Sequence, residues 1–286
     1  MPETTIPNVS WTIEPRSAGV IARLGEVWRY RRMFAFFGQR AMRKLYQRTV
    51  LGRAWIFLRP LIPLCVRVFI FGALLEVGTA TRVPYFLFLA VGSAAWELFA
   101  SCVMWATRSL ELNGGMLSRM YVPRLILPVA TMVPGFVYFA IHLAVIAVAL
   151  VYYRFQDGVW YLDSTWILAA PVAVVLLVLF AVAIGLWTSV LAVGARDVRF
   201  GLGYTLEFWV YLTPVIYPMA IVPGQVQWAF MLNPLAVLVV AFRGALLGGE
   251  GPDPWAWWAA VGMIGAVLVS GLAFFQRAEA EAVDSL

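Results

Sequence analysis

The sequence predicts an all-α integral membrane protein with six transmembrane helices, an N-terminal amphipathic interface helix and outer re-entrant half-helices between spans five and six. Hydrophobic residues make up 63% of the 286 residues and charged residues 13%, which is more apolar surface than one soluble core of this length encloses. Several apolar runs reach the ~20 residues that a bilayer core requires. The basic residues cluster at the ends of these runs, as membrane topology predicts.

The part of the chain before the first apolar run is predicted to lie on the cytoplasmic side. Residues 1–17 are expected to form an irregular cytoplasmic tail without a removable signal peptide. Residues 18–53 alternate arginines with apolar residues at helical spacing, which predicts an amphipathic helix at the membrane interface, interrupted near Gly38. A solvated basic helix is the alternative, and it would leave Trp28 and three nearby phenylalanines exposed.

Six apolar runs define a transmembrane domain at residues 54–276, followed by a cytoplasmic tail at 277–286. The predicted spans are 54–76, 84–107, 124–151, 166–194, 200–217 and 255–275. In this topology 17 of the 21 Lys and Arg residues fall on one side and three on the other, while Arg67 lies inside the first span. The split predicts that both termini are cytoplasmic.

Residues 218–248 contain two apolar pieces that are each too short to span a membrane. Asn233-Pro234 divides them, and a proline after an Asn cap marks the start of a helix. We therefore predict two outer half-helices that dip into the membrane and return, with protein or a watery cavity covering their backbone. One additional full span is the alternative, which would place the C-terminus outside and conflict with the charge split.

The sequence lacks the residues that nucleotide, metal or hydrolytic chemistry requires. The only lysine, Lys44, does not follow a glycine-rich phosphate loop, and the only histidine, His142, has no second histidine to share a metal. Cys65 and Cys102 lie in apolar runs, where a thiol behaves as a small hydrophobe. We predict a transport conduit with no catalytic residue, metal or cofactor of its own. Membrane topology accounts for the net charge of +6 without a nucleic-acid partner.

Charged residues inside spans are costly and indicate a function by default. Arg67 in the first span and Glu97 in the second fall at similar depths, counting ~1.5 Å per residue. This match predicts a structural ion pair within the membrane. Glu207 in the fifth span matches the depth of Arg59 in the same way.

The fifth span also carries an aromatic face. Its members fall at positions i, i+4, i+7 and i+11, beside Glu207, and they are Tyr204, Phe208, Tyr211 and Val215. Aromatic planes next to hydrogen-bonding groups suit sugar rings. Helix packing is the alternative, because 15% of the residues are aromatic.

Short motifs follow one another between about residues 25 and 250. They are YQRTVLG at 46–52 with Trp55, LRP at 58–60, PY at 84–85 with Gly92 and Trp96, Asn113 with Leu117, YVPR at 121–124, RDVR at 196–199, YLTPVIYP at 211–218 and NP at 233–234. In this order they resemble the membrane (permease) subunits of type-2 ABC exporters for O-antigen and other cell-surface polysaccharides.

This resemblance implies a homodimer of six-helix subunits whose first and fifth helices line a channel. Two copies of a separate cytoplasmic ABC ATPase subunit would bind ATP and Mg²⁺, so no cofactor is expected in this chain. The transporter would export lipid-linked polysaccharide, O-antigen or similar, across the bacterial inner membrane in lipopolysaccharide biosynthesis. The outer half-helices would then act as a gate.

The resemblance also implies that the segment after the second span is a coupling helix that contacts the ATPase. Asn113 would cap it, and Leu117 with Tyr121 would form an apolar pair for docking. Ser118-Arg119 stands where the family commonly has two basic residues, and the preceding Gly114-Gly115 loosens the helix start. An ordinary loop is the alternative. The expected coupling residues are Glu111, Asn113, Leu117, Arg119 and Tyr121.

Five basic residues before the first span would meet the anionic headgroup of such a lipid-linked substrate, and also membrane lipids, each contributing on the order of 1 kcal/mol. Topology alone also explains these residues, which are Arg40, Arg43, Lys44, Arg48 and Arg53.

Three other functions compete with this interpretation. A type-2 exporter of a small lipid or drug needs no wide channel and often has a large outer domain, whereas the loops here are short. An ion-coupled secondary transporter would use Glu97 or Glu207 and would be expected to contain inverted repeats, which the sequence does not show. A membrane enzyme acting on lipid-linked sugars needs clustered carboxylates or histidines at one interface.

Overall fold

The computed structural model describes residues 31–117, 122–163, 168–249 and 251–284, and this part of the chain is helical without a β-strand. The prediction of an all-α membrane protein is confirmed. In chain order the α-helices are α1 (Arg31–Tyr46), α2 (Trp55–Arg67), α3 (Tyr85–Thr107), α4 (Ser109–Leu117), α5 (Ile126–Ala130), α6 (Val133–Asp157), α7 (Ala169–Gly194), α8 (Arg196–Trp209), α9 (Gly224–Met231), α10 (Pro234–Leu247) and α11 (Pro254–Asp284).

Five segments of the described chain are long and apolar enough to cross a membrane, and the bent pair α9–α10 would make six. They correspond to predicted spans one to four and six. The first combines a 3-10 turn (Gly52–Ala54), α2 and a π-helical segment (Val68–Leu74). The five segments are Gly52–Leu74, Tyr85–Met116, Ile126–Asp157, Ala169–Gly194 and Pro254–Ala278.

The predicted fifth span, 200–217, is only partly helical. Helix α8 has 14 residues, about 21 Å at the rise of an α-helix, and turns follow it to Tyr217. Arg199 lies beside Glu111 at one end of the bundle, while the Ile216 carbonyl accepts a hydrogen bond from the Tyr85 hydroxyl at the other. The segment therefore traverses the same depth as α3, partly as turns.

Two helices occur where the half-helices were predicted, and α9 and α10 meet at 99° across a short break. The Asn233 side chain caps α10 by accepting a hydrogen bond from the Leu235 amide at 3.1 Å, and Pro234 occupies the first helical position. Asn233 also donates to the Thr213 hydroxyl. This second bond joins the break to the turns that follow α8.

The prediction that the interface helix breaks near Gly38 is wrong for the described part, where α1 runs through this position without interruption. A Cβ added at Gly38 would lie 2.7 Å from the Val133 side chain, so the glycine permits close packing of α1 on α6. Phe37, Ala41 and Leu45 form the buried face of α1. Residues 18–30 of the predicted helix lie outside the described residues.

Helix α3 forms the centre of the bundle and packs against α6, α7 and α10. At the end of α3 near Thr107, one apolar cluster joins Phe37 of α1, Leu110 of α4 and Phe275 near the end of α11. The beginning and the end of the described chain therefore lie at the same end of the bundle. We call this the α4 end.

Candidate channel wall and coupling helix

The aromatic residues predicted to line a channel lie on one exposed face of the chain. Tyr204 is 65% exposed, Phe208 71% and Tyr211 57%. Leu206 and Val210, on the opposite side of the segment, are buried. Each aromatic ring is thus turned away from the chain's own core.

Val215, the predicted fourth member of this face, is fully buried. The helical spacing that placed it there does not extend so far, because α8 ends at Trp209 and the chain continues in turns. The exposed aromatic face therefore consists of three residues.

A cavity of about 690 Å³ lies next to this face and contains the predicted intramembrane charges. Arg59 and Arg67 of α2, Glu97 of α3 and Glu207 of α8 line it together. Neither predicted ion pair is formed, since no N–O contact within 4.0 Å joins these four residues in the described structure. The residues that were matched by depth line the same cavity, but the space between the helices separates their charged groups.

The first span forms the open side of this cavity and is the least buried of the long helices. In its most apolar 18-residue stretch, 11% of the residues are buried within the chain, compared with 83% in the second span. Exposed apolar side chains are stable in contact with lipid, whereas charged groups in hydrocarbon are costly. The charged cavity therefore requires water or a second protein surface rather than lipid.

Helix α4 occupies the position predicted for the coupling helix. The Arg199 guanidinium of α8 contacts both carboxylate oxygens of Glu111, at 2.6 and 2.8 Å. These residues are separated by 88 positions in the sequence. The ion pair connects α4 directly to the helix that carries the aromatic face.

The other predicted coupling residues have different outcomes. Asn113 does not cap α4, because the helix begins at Ser109 and Asn113 lies inside it, donating to the Ser109 carbonyl at 2.8 Å. The Asn113 side chain is 3% exposed and is thus unavailable at the surface of this structure. Leu117 is the last residue of α4. Arg119 and Tyr121 lie outside the described residues.

The five basic residues before the first span divide into two groups. The Lys44 ammonium donates to the Leu112 carbonyl of α4 at 2.6 Å, and Arg40 is half-buried. Desolvation, followed by the charges of Arg40 and Arg108, holds the pKa of Lys44 below its ordinary value. The three exposed members are Arg43, Arg48 and Arg53. Lys44 therefore joins α1 to α4 rather than facing solvent freely.

Sequence reasoning missed a buried arginine at the opposite end of the bundle. Arg243 of α10 is 8% exposed and donates to the carbonyls of Pro214 and Val215 at 2.9 and 3.0 Å. Its guanidinium lies 3.6 Å from the centre of the Phe88 ring. The signal in the sequence was one arginine within the apolar run 234–247. Arg243 fixes the turns after α8 against the second half-helix.

The remaining candidates for chemistry are isolated. His142 is buried and its Nδ1 lies 3.0 Å from the Tyr138 carbonyl of the same helix. No group of three or more His, Cys, Asp and Glu side chains within the described ranges is placed to hold a metal ion. The described residues therefore offer a cavity wall and a link between helices.

Several known proteins are similar in sequence to this chain. The chain is 25% identical over 237 residues to the O-antigen export system permease protein RfbA of Myxococcus xanthus, covering 82% of this chain and 87% of the relative. Two Klebsiella pneumoniae proteins of the same name are 28% and 27% identical over 207 residues, covering 71% of this chain and 76% of each relative. Residues 33–247 match the family described as ABC-2 type transporter, and the chain therefore belongs to this family.

Proposed function

We propose that two copies of this chain form the membrane channel of an ATP-driven exporter that moves lipid-linked polysaccharide, O-antigen or similar, across the bacterial inner membrane. Two copies of a separate cytoplasmic ABC ATPase would supply the energy, and both termini of this chain would be cytoplasmic. Family membership and relatives named O-antigen export permeases support this proposal.

The observation that carries the proposal is the exposed aromatic face beside a charged cavity on a membrane-spanning surface. Tyr204, Phe208 and Tyr211 are each more than half exposed, and Glu207 lies among them. Sugars present C–H faces that pack on aromatic planes and hydroxyls that bond to polar groups. A channel wall of this kind suits a sugar polymer better than a small apolar drug.

A second copy of the chain would complete the channel. The weakly buried first span and the exposed face of α8 lie on either side of the charged cavity. A twofold axis beside this surface would bring the same surface of the second copy opposite it. The two cavities would then join into one water-filled path, which satisfies the charges without exposing them to lipid.

Helix α4 would transmit the movement of the ATPase to this wall. It lies at the end of the bundle where both ends of the described chain lie, and the Glu111–Arg199 ion pair ties it to α8. The Lys44 contact with Leu112 ties it to α1 as well. A displacement of α4 by the ATPase would therefore move the aromatic face and the interface helix together.

The three exposed basic residues before the first span would attract the anionic headgroup of the lipid-linked substrate at the same end. Arg43, Arg48 and Arg53 are available for this role, whereas Lys44 already donates to Leu112. Each exposed cation near an anionic surface contributes on the order of 1 kcal/mol.

Replacing Phe208 by Ala tests the channel wall. Aromatic contacts contribute on the order of 1 kcal/mol beyond area burial, so we expect about five-fold less polysaccharide at the cell surface, with lipid-linked polymer accumulating inside. Immunoblots of a strain that lacks the native gene and expresses the variant with its ATPase measure both. Phe155→Ala is the matched control, because Phe155 is 86% exposed on α6.

Equal export by the two variants would assign the face to lipid or helix packing and contradict the proposed wall. Chemical crosslinking of the dimer must be unchanged in Phe208→Ala, so that lost export is not lost assembly. The energy source is tested separately in vesicles. Polymer transport by this chain alone, driven by an ion gradient without the ATPase, would overturn the proposed function.

A further inference from the structure

A second cavity, of about 270 Å³, lies at the end of the bundle opposite α4. Arg82, from the connection before α3, and Arg243 of α10 both line it, together with Val83, Phe88, Leu247 and Gly248. Drug-sized ligands occupy pockets of about 300–1,000 Å³, so this cavity fits one small group. It is separate from the channel wall and from α4.

Within the described residues, no carboxylate pairs with the positive charge in this cavity. Arg243 directs two of its nitrogens to backbone carbonyls, while its Nε is buried and has no hydrogen-bond partner there. Neither Arg82 nor Arg243 forms an ion pair with a described carboxylate. Asp163 lies against Gly248 but does not line the cavity. Buried charges are normally paired, and the buried Arg243 has only neutral partners among the described residues, namely two carbonyls and the Phe88 ring. With the exposed Arg82 at its edge, the cavity therefore suits an anionic ligand.

The position of the cavity indicates where that anion comes from. Helix α3 begins at Tyr85, so Arg82 lies just outside the span, while Phe88 lies about 5 Å inside it. The cavity therefore extends from the level of lipid headgroups into the edge of the hydrocarbon region. Its wall changes accordingly from the exposed Arg82 to the apolar Phe88 and Leu247.

We propose that this cavity binds the phosphate of an anionic phospholipid headgroup. The Arg82 guanidinium supplies a planar fork for the phosphate oxygens, and the Arg243 side chain supplies the buried positive charge. The glycerol end of the lipid packs on Val83, which lines the cavity and is partly exposed. The bound headgroup neutralises the arginine that holds the turns after α8, so the lipid also stabilises this end of the channel wall.

The headgroup site is tested by lipid binding to the purified full-length chain in a nonionic detergent. Native mass spectrometry compares phosphatidylglycerol with phosphatidylcholine of the same acyl chains. We expect at least five-fold tighter binding of phosphatidylglycerol, and we expect Arg82→Gln to remove this preference. Arg154→Gln is the matched control, because Arg154 is an exposed arginine on another helix and is not part of this cavity. This measurement needs neither export nor ATPase, so its outcome is independent of the proposed function.

A photoreactive phosphatidylglycerol provides a second readout, and its crosslinks are expected within residues 81–88 and 243–249. Equal lipid preference in Arg82→Gln and Arg154→Gln would overturn the proposal. Protection against thermal unfolding by inorganic phosphate alone, with no added effect of phosphatidylglycerol, would assign the cavity to a soluble anion and overturn it too. Glu250→Gln removes the carboxylate closest in sequence to the cavity. If phosphatidylglycerol is preferred only in that variant, the Glu250 carboxylate rather than a lipid neutralises the cavity in the natural chain, and the proposal is overturned.

Discussion

Exchanging the charges of Glu111 and Arg199 tests whether α4 and α8 move as one unit. One Arg199 nitrogen contacts both Glu111 oxygens at 2.6 and 2.8 Å, and the side chains are 21% exposed for Arg199 and 40% for Glu111. Pairs this exposed to solvent contribute about 0.2–1 kcal/mol. At the upper value, losing the pair would change a coupled equilibrium about five-fold.

We expect Arg199→Gln to reduce polymer export per ATP hydrolysed about five-fold in the reconstituted complex, while ATP hydrolysis itself persists. The double variant Glu111→Arg with Arg199→Glu restores the attraction with its charges reversed, and we expect it to recover most of the lost coupling. Arg196→Gln is the matched control, because Arg196 is exposed on the first turn of α8 and forms no ion pair with a described residue.

Three results would refute this reasoning. If Arg196→Gln impairs coupling as much as Arg199→Gln does, only the total positive charge of this turn matters. If the double variant with reversed charges does not recover coupling, Glu111 acts through another partner. Unchanged export in Arg199→Gln, combined with a lower unfolding midpoint, would limit the ion pair to a role in stability.

Two further predictions concern the end of the bundle opposite α4. A Cβ in Gly92→Ala would overlap the Arg243 guanidinium. Because overpacking of this kind costs about 1–3 kcal/mol, we expect this variant to have a lower unfolding midpoint in detergent. Gly262→Ala is the control, because Gly262 has open space around it and its substitution should not lower the midpoint. Asn233→Ala removes the cap on the Leu235 amide and should cost about 1 kcal/mol; denaturant titration checks this, and a stability equal to wild type would mean that the cap does not contribute.

The positions of the long helices could be predicted because they depend on local properties of the sequence. A run of apolar residues long enough to span the bilayer must satisfy its backbone internally, so it becomes a helix wherever it occurs. The cap formed by Asn233-Pro234 is equally local, since Oδ1 accepts from an amide two residues away. These features need no information about neighbouring helices.

Predictions failed where a local rule was extended into regions controlled by neighbouring helices. Gly38 weakens a helix in isolation, yet α1 continues through it because the packing of Val133 needs a residue without a Cβ. The aromatic spacing failed at Val215, where the chain had already left the helix. Matching depths placed Arg67 and Glu97 on one cavity but did not bring them into contact.

The sequence by itself determined that this chain is a helical membrane protein, where its long helices lie and that its second half-helix starts at Pro234. Only the tertiary structure decided which distant side chains meet, namely Lys44 with Leu112, Glu111 with Arg199 and Arg243 with the carbonyls after α8. The physical reason is the distance along the chain over which each interaction acts. Hydropathy and capping act within a few residues along the chain, whereas these contacts join positions between 28 and 88 residues apart and form only when the helices pack.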